Sequence, residues 1–365
     1  MSGRLDLRRG IVVSTEPLTV EVDDERRPAW ADTVLLGEMR EGDEVVVNVA
    51  ALDLGLGSGG FDVVHVNLTR GLEGGGGPDG EHVMKLNYTS LQHPVAPVES
   101  TELRFLSDGI GRKGTTRQDE VASGTAEKSP DAAETGAATA ASALVLPLHG
   151  HLAPAAWAAA QASPGIRVGY VQTGGGALPG ALSRDVAELR ERNLLCGHIT
   201  AAPAYGGEHD ALSTVGALDA ASRLGWDAIL VGPGPGIIGS NTEFGHGGMA
   251  ALDSAHAALS LRLPTLISPR LSSSDPRERH IDVSHHTYTV LELLLAPVVV
   301  AVPEGEDGIA AALEAAPGRH SLRFAPADLG AYADAGLPAR TMGRSLRDDP
   351  LFFAAPLAAG RLLAG

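Results

Sequence analysis

The sequence predicts an α/β fold, a doubly wound, mostly parallel sheet domain preceded by a small N-terminal β-barrel. Three observations carry this reading. From residue 144 to residue 302, short apolar runs alternate with amphipathic stretches long enough to be helices, the pattern of parallel strands joined by crossover helices. Before residue 105 the runs are shorter, rich in β-branched side chains and bounded by turn residues, without a helical period. Between the two, residues 106–142 hold mostly Gly, Thr, Ala, Ser, Asp, Glu and Lys. Such a stretch buries too little apolar surface to offset its ordering entropy, so a flexible linker is expected there.

In the first unit, residues 1–105, the strand candidates are 10–14, 18–22, 33–36, 43–50, 61–67 and 82–87. Val45, Val46, Val47 and Val49 give the clearest β signal, and the glycine-rich stretches 55–60 and 74–80 mark turns. Short strands at this spacing suit a small closed barrel. In the second unit, residues 143–365, the strand candidates are 144–148, 166–171, 198–202, 227–231, 265–268 and 298–302. Leu212, Val215, Leu218 and Leu224, and again Met249, Leu252, His256 and Leu259, recur at helical spacing between them. The end of the chain offers a weak strand, a helix near 327–335, and an apolar tail with Phe352 and Phe353. Those rings are expected to dock on the core or on a second copy of the chain, which makes a homo-oligomer one way to cover them.

Composition narrows the function. The net charge of −17 divides as −9 over residues 1–105, −2 over 106–142 and −6 over 143–365, so no segment offers a basic face for polynucleotide phosphates. Nucleic acid is excluded as an expected partner. The one cysteine, Cys196, rules out an internal disulfide or a Cys-cluster metal site and suits a reducing compartment. Arg4, Asp6, Arg8 and Arg9 are followed by no apolar run of the signal-peptide kind. The longest apolar stretch, residues 291–303, is interrupted by Pro297 and falls short of the ~20 residues a membrane helix needs. A cytoplasmic protein with a small-molecule ligand and no membrane partner is expected.

The loops after the predicted strands of the second unit should share one sheet edge, where open α/β sheets bind ligands. One is Gly232-Pro-Gly-Pro-Gly-Ile-Ile-Gly239, in which Gly234, Gly236 and Gly239 have the spacing of a dinucleotide loop. Pro233 and Pro235 remove two backbone donors and Asp253 falls inside the next helix, so close backbone approach to a smaller ligand fits better. Its continuation supplies Ser240, Asn241, Thr242, Glu243 and His246 for hydrogen bonds. No Gly-Lys-Ser/Thr follows, which excludes an ATPase phosphate loop.

The densest loop follows residues 265–268 and admits three readings. Arg270, Arg277, Arg279 and the serine run could grip an anion, with Ser284 capping a helix that opens on His285 and His286. Asp275, His280, Asp282, His285 and His286 have the mixed N/O character of a metal site. Three arginines against Asp275, Glu278 and Asp282 also describe a solvated, internally paired loop. His149, His151 and His209 bring the histidines expected on this edge to seven of thirteen. Neither Gly-x-Ser-x-Gly nor His-Glu-x-x-His occurs.

At Gly232–Gly239, Arg277-x-Arg279-His280, Ser284-His-His-Thr287, Gly180-Ala-Leu-Ser183 and Thr341-Met-Gly-Arg344, the chain resembles an uncharacterised bacterial domain-of-unknown-function family frequent in actinobacteria. The resemblance covers nearly the whole chain, including residues 48–60. It implies that these positions matter and brings no activity with it.

From the residues, then, the expected function is an enzyme acting on a small anionic or phosphorylated metabolite. Arg277, Arg279 and Ser284 would hold the anion, and His285 or His286 would serve as acid or base, with His280 and Asp275 as further catalytic candidates. Gly234, Gly236, Gly239, Asn241 and Thr242 complete the ligand contacts. The alternatives are a metal-dependent hydrolase using Asp275, His280, His285 and His286 with His149 or His209, and a non-catalytic sensor or scaffold whose output surface is the barrel. No cofactor is named by the sequence. All three require histidines distant in sequence to gather at one rim.

Overall fold

The computed structural model describes residues 5–55, 60–72, 83–100, 141–176, 179–240, 242–318 and 320–365. The expected linker lies outside them almost entirely, as does Asn241. At the N-terminus, β1 (Leu7–Thr15), β2 (Leu18–Val22), β3 (Glu25–Trp30), β4 (Glu44–Asn48) and β5 (Asp62–Asn67) close a barrel in the order β1-β2-β3-β5-β4. Alternation along the strands sends Val12, Val20, Val22, Val45, Val47 and Val64 inward, where Met39 joins them. Two short helices, α1 (Thr33–Leu36) and α2 (Ala50–Asp53), interrupt the strands.

The barrel corrects one strand expectation. Residues 33–36 form α1, because the Asp32 carboxylate accepts from Val34 N and Leu35 N and caps a helical turn that Gly37 ends at φ 75°. The β-branched Val34 is left 88% exposed. The third strand is instead β3, which the polar run Glu25-Arg-Arg-Pro28 concealed. Its Arg27 reaches the buried Asp62 carboxylate at 2.6 Å, so a charge pair ties β3 to β5.

After a small hairpin of β6 (Met84–Lys85) and β7 (His93–Pro94), the chain enters the larger unit. In order come β8 (Ser142–Val145), α3 (Leu152–Ala162), β9 (Val168–Thr173), α4 (Arg184–Glu191), β10 (Gly197–Ala201), β11 (His209–Ala211), α5 (Thr214–Arg223), β12 (Ala228–Pro233), α6 (Ala250–Ser260) and β13 (Thr265–Ile267). A two-stranded pair, β14 (Leu271–Ser272) and β15 (Asp282–Val283), precedes α7 (His285–Leu293), β16 (Val299–Pro303), α8 (Asp307–Glu314) and β17 (Ser321–Ala325). The chain closes with α9 (Leu329–Asp334), the pair β18 (Arg340–Thr341) and β19 (Arg344–Ser345), and α10 (Pro350–Leu363).

Eight strands form one all-parallel sheet in the order β11-β10-β9-β12-β8-β13-β16-β17. Both faces are covered, as parallel sheets require. Small side chains let the layers approach. Ala217, Ala220, Ala221, Ala255 and Ala258 pack α5 and α6 on one face. Ala155, Ala156 and Ala159 of α3 meet α10 on the other, where a Cβ on Gly360 would lie 2.2 Å from the Ala155 carbonyl. Phe352 and Phe353, each 1% exposed, dock on this chain's own core. The Trp226 ring lies over Gly169 of β9 and Gly197 of β10, two positions with no Cβ to hold it off.

Residues 83–100, grouped with the barrel from sequence, make their contacts with the edge of this sheet. The Lys85 ammonium, only 3% exposed, donates to the carbonyls of Thr200 and Ala204 and to the Asp210 carboxylate, each at 2.7 Å. Val98 N donates to Asp210 O, and the Glu99 carboxylate receives Leu212 N and Ser213 N ahead of α5. Among the described residues, no helix is long and apolar enough to cross a membrane.

The strand order sets the site. The chain starts at β8, moves outward through β9, β10 and β11, returns as β12 beside β8, and continues on the other side through β13. The carboxyl ends of β12, β8 and β13 are thus neighbours, and their loops face one another at the switch in winding direction. Gly169→Ala would place a Cβ 2.0 Å from the Trp226 ring. It should cost about 1–3 kcal/mol of stability through overpacking, read as a lower urea midpoint at unchanged slope.

Candidate functional site

Two of these loops deliver four histidines to one place. His246 precedes the turn Gly247–Met249 that leads into α6, His280 ends the turn Glu278–His280, and His285 and His286 open α7. Ser284 organises the last three. Its hydroxyl accepts from His286 N as the helix cap and lies 2.7 Å from His280 Nδ1. The His246 and His286 rings stack at 3.5 Å with 7° between their planes. His285 stands steeply across both, 4.4 Å from His286 and 5.6 Å from His246, and 5.0 Å from His280.

Hydrogen bonds assign the lone pairs. His246 Nε2 lies 2.9 Å from the Glu243 carbonyl, which only accepts, so Nε2 carries the proton and Nδ1 the lone pair. That Nδ1 is buried with no partner, as is His285 Nε2. Arg270 Nη1 donates to His286 Nδ1 at 3.1 Å, so this nitrogen too presents a lone pair. One nitrogen from each of His246, His285 and His286 lies within 4.8 Å of the other two. Burial, reinforced by the Arg270 charge, pushes His280 down to about 3 and His286 to about 2. Burial likewise lowers His246, and His285 with added repulsion from His246. At neutral pH the cluster is four uncharged imidazoles.

Beneath it, two buried carboxylates hold the loop. Asp275 receives Arg277 through Nε at 2.8 Å and Nη2 at 2.7 Å, Arg344 at 3.3 Å and Arg270 at 3.5 Å. Burial opposes its ionisation, yet the hydrogen bonds and charge of Arg277 with the charge of Arg344 outweigh it and hold the carboxyl well below the usual range. Asp349 accepts from the Ser272 hydroxyl at 2.7 Å, Ser273 N at 2.8 Å and Arg344 Nε at 3.1 Å. Arg344 therefore bridges both acids, which gives the tail motif Thr341-Met-Gly-Arg344 a physical role.

The expected site residues divide on this frame. His280, His285 and His286 come together, capped by Ser284. Asp275 lies under them with its oxygens occupied by guanidinium groups, and the one metal-type grouping among the described residues contains no carboxylate. Arg277 is engaged by Asp275, the hydroxyls of Ser272 and Ser273 by Asp349, and Arg279 is exposed. Gly234 packs against Gln172, and Gly236 turns at φ 79°. Gly239 bridges to His246, so the three glycines shape the loop that carries this histidine. The Thr242 hydroxyl serves the same loop through Ser240 and Gly245 N. Beside His246 opens a cleft of about 540 Å³ lined by Gly175, Gly176, Ile238, Gly239 and Gly247.

The remaining histidines of the expected rim go elsewhere. His149 lies 2.8 Å from the Ser183 hydroxyl, in a buried group with Tyr170 and His198. His151 pairs with Ser268 and packs on Phe352, and His209 sits on the edge strand β11. From sequence, His246 was expected at this edge and as a hydrogen-bonding side chain of its loop, though not as a metal ligand, and Asp349 did not stand out at all. Its partner Ser272 is 77 residues away, a separation at which no local pattern signals pairing.

The family model described as "Protein of unknown function (DUF3866)" matches residues 29–108 and 113–360. No curated protein and no solved structure matches the chain.

Asp275→Asn would leave Arg270, Arg277 and Arg344 around a neutral amide. Uncompensated buried charge makes this substitution destabilising by about 3–5 kcal/mol, checked by chemical denaturation against the wild type.

Proposed function

Because the chain belongs to the DUF3866 family, whose description carries no reaction, we propose on the geometry alone that it is an enzyme acting on a small anionic metabolite with a divalent metal ion held by His246, His285 and His286. Metal-assisted hydrolysis is the reaction class. The observation that carries this is the convergence of three imidazoles on a place where His246 Nδ1 and His285 Nε2 are buried and unpartnered. Orphaned buried nitrogens are costly, and a cation is the partner that uncharged imidazole lone pairs accept. Imidazole ligands suit zinc and its first-row neighbours rather than magnesium or calcium. Held by these three side chains, such an ion would supply Lewis-acid activation of water for hydrolysis.

The protein's own groups supply the rest. Uncharged histidines release no proton on coordination, so the lowered basicity of the cluster favours binding at neutral pH. Imidazole lone pairs lie in the ring plane, and the parallel rings of His246 and His286 direct theirs side by side. Joint coordination therefore turns one ring, at the cost of the stack and of the Arg270 hydrogen bond. His280, held through Nδ1 by Ser284, stands next to His285 as the candidate for proton transfer. The glycine-lined cleft supplies backbone-level access to His246. Favouring the ion over a grip built of Arg277 and the serines is the prior commitment of those groups to Asp275 and Asp349.

Elemental analysis of protein purified without chelator should find about one transition-metal ion per chain. His246→Ala and His285→Ala should each lose it on dialysis while remaining folded. Folded wild-type protein that is free of such metals and takes up neither zinc nor manganese sinks the reading.

A further inference from the structure

We propose that Arg270 is the anion-recognition residue of this pocket, the group that makes an oxyanion, phosphate or carboxylate, the defining feature of the ligand. The inference takes its location from the pocket proposed above and does not need the metal ion. Arg270 lies three residues past the end of β13 and directly before β14, and its backbone is clamped to the start of α7 by Thr287 Oγ on its N–H and Ser284 N on its carbonyl. Its guanidinium is thus carried by a rigid element at the switch point of the sheet.

The charge balance is incomplete. Arg270, Arg277 and Arg344 share two carboxylates, Asp275 and Asp349, which leaves one positive charge uncompensated. The geometry assigns that surplus to Arg270. Its side chain is 6% exposed against 39% for Arg277 and 15% for Arg344, yet its contact with Asp275, at 3.5 Å, is the longest of the three. The shared Oδ2 is already held by Arg277 at 2.7 Å. Its other partner, His286 Nδ1, accepts its hydrogen bond through a lone pair and so brings no negative charge. A guanidinium keeps its charge at neutral pH even when buried. A buried cation without a full counter-ion is expensive, and an incoming oxyanion removes the cost.

The anion reaches Arg270 from the side of the stacked His246 and His286 rings. Gly248 packs closely on these rings, where a Cβ would fall 3.0 Å from His246 Nδ1 and 3.1 Å from His286 Nδ1, so only a glycine fits beside the nitrogen that Arg270 touches. His246 connects this point to the cleft. An oxyanion that takes the Nη1 hydrogen also frees the His286 lone pair, so anion and metal favour each other's binding. Of the three arginines that the sequence offered for an anion, Arg277 is engaged by Asp275 and Arg279 is exposed. Arg270 alone of the three is both buried and undercompensated.

The test is calorimetric titration of the full-length, chelator-treated protein with inorganic phosphate and with acetate. The wild type should take up one oxyanion per chain, Arg270→Gln should abolish uptake, and Arg270→Lys, which keeps charge but not the fork, should weaken it about tenfold. The inference is overturned if the wild type binds neither anion, or if folded Arg270→Gln binds as the wild type does. Should the Gln variant not fold, unchanged affinity in Arg270→Lys overturns it. Oxyanion uptake by a protein that never accepts a transition metal supports the Arg270 assignment while removing the ion. Metal uptake without oxyanion binding defeats the Arg270 assignment and leaves the ion.

Discussion

Everything at the candidate site depends on two carboxylates buried under the loop that follows β13. Asp275 gathers Arg270, Arg277 and Arg344, and Asp349 gathers Ser272, Ser273 and the same Arg344. A loop rich in serine and charge has no apolar reason to adopt one shape, and buried ion pairs contribute specificity of geometry more than net stability. Here they convert a solvent-loving segment into a fixed shelf. Ser284, Arg270 and Thr287 then connect the shelf to the first turn of α7, so His285 and His286 inherit its precision.

The sheet supplies the second half of that precision. Returning β12 to the side of β8 places the loop carrying His246 opposite the loop carrying His280 and α7. Alanine and glycine make the layers thin, at Gly360 against α3 and at Gly169 and Gly197 under Trp226. Strands such as β9 and β12 are buried along their whole length on both faces and leave most of their polar chemistry to their ends. Lys85 and Glu99 attach the segment that follows the barrel to the far edge of the same sheet, using charges where apolar contact is scarce.

Electrostatically the cluster is two zones side by side. The imidazoles are uncharged, since burial and the Arg270 field both oppose protonation. The ion-pair network beneath them carries one surplus positive charge. Lone pairs in one zone and a cation in the other are complementary to two different chemistries, an electrophilic ion and an oxyanion. The apolar tail, which might have served subunit contact, is instead consumed by the core through Phe352 and Phe353.

Much of the architecture was legible in the residues. Aliphatic runs 144–148 and 227–231, the valines of β4 and the Ser284 cap are local signals, because hydrogen-bond periodicity and capping act over a few residues. Where local signals conflicted they misled, as at residues 33–36, where Asp32 and Gly37 outweighed β-branched side chains. The site was legible only as a set of polar loops at one edge. That His280, His285 and His286 converge followed from their nearness in sequence. That His246 joins them while His149, His151 and His209 do not depended on strand order. By itself the sequence determined the alternation of strand and helix, the barrel, and which loops are rich in polar side chains, since these rest on short-range periodicity and composition. Only the tertiary structure decided which side chains meet, which arginine is left without a full counter-charge, and that a tail acid 77 residues away shapes the loop. Such pairings are set by burial and Coulomb forces acting across the fold, and neither is written in neighbouring residues.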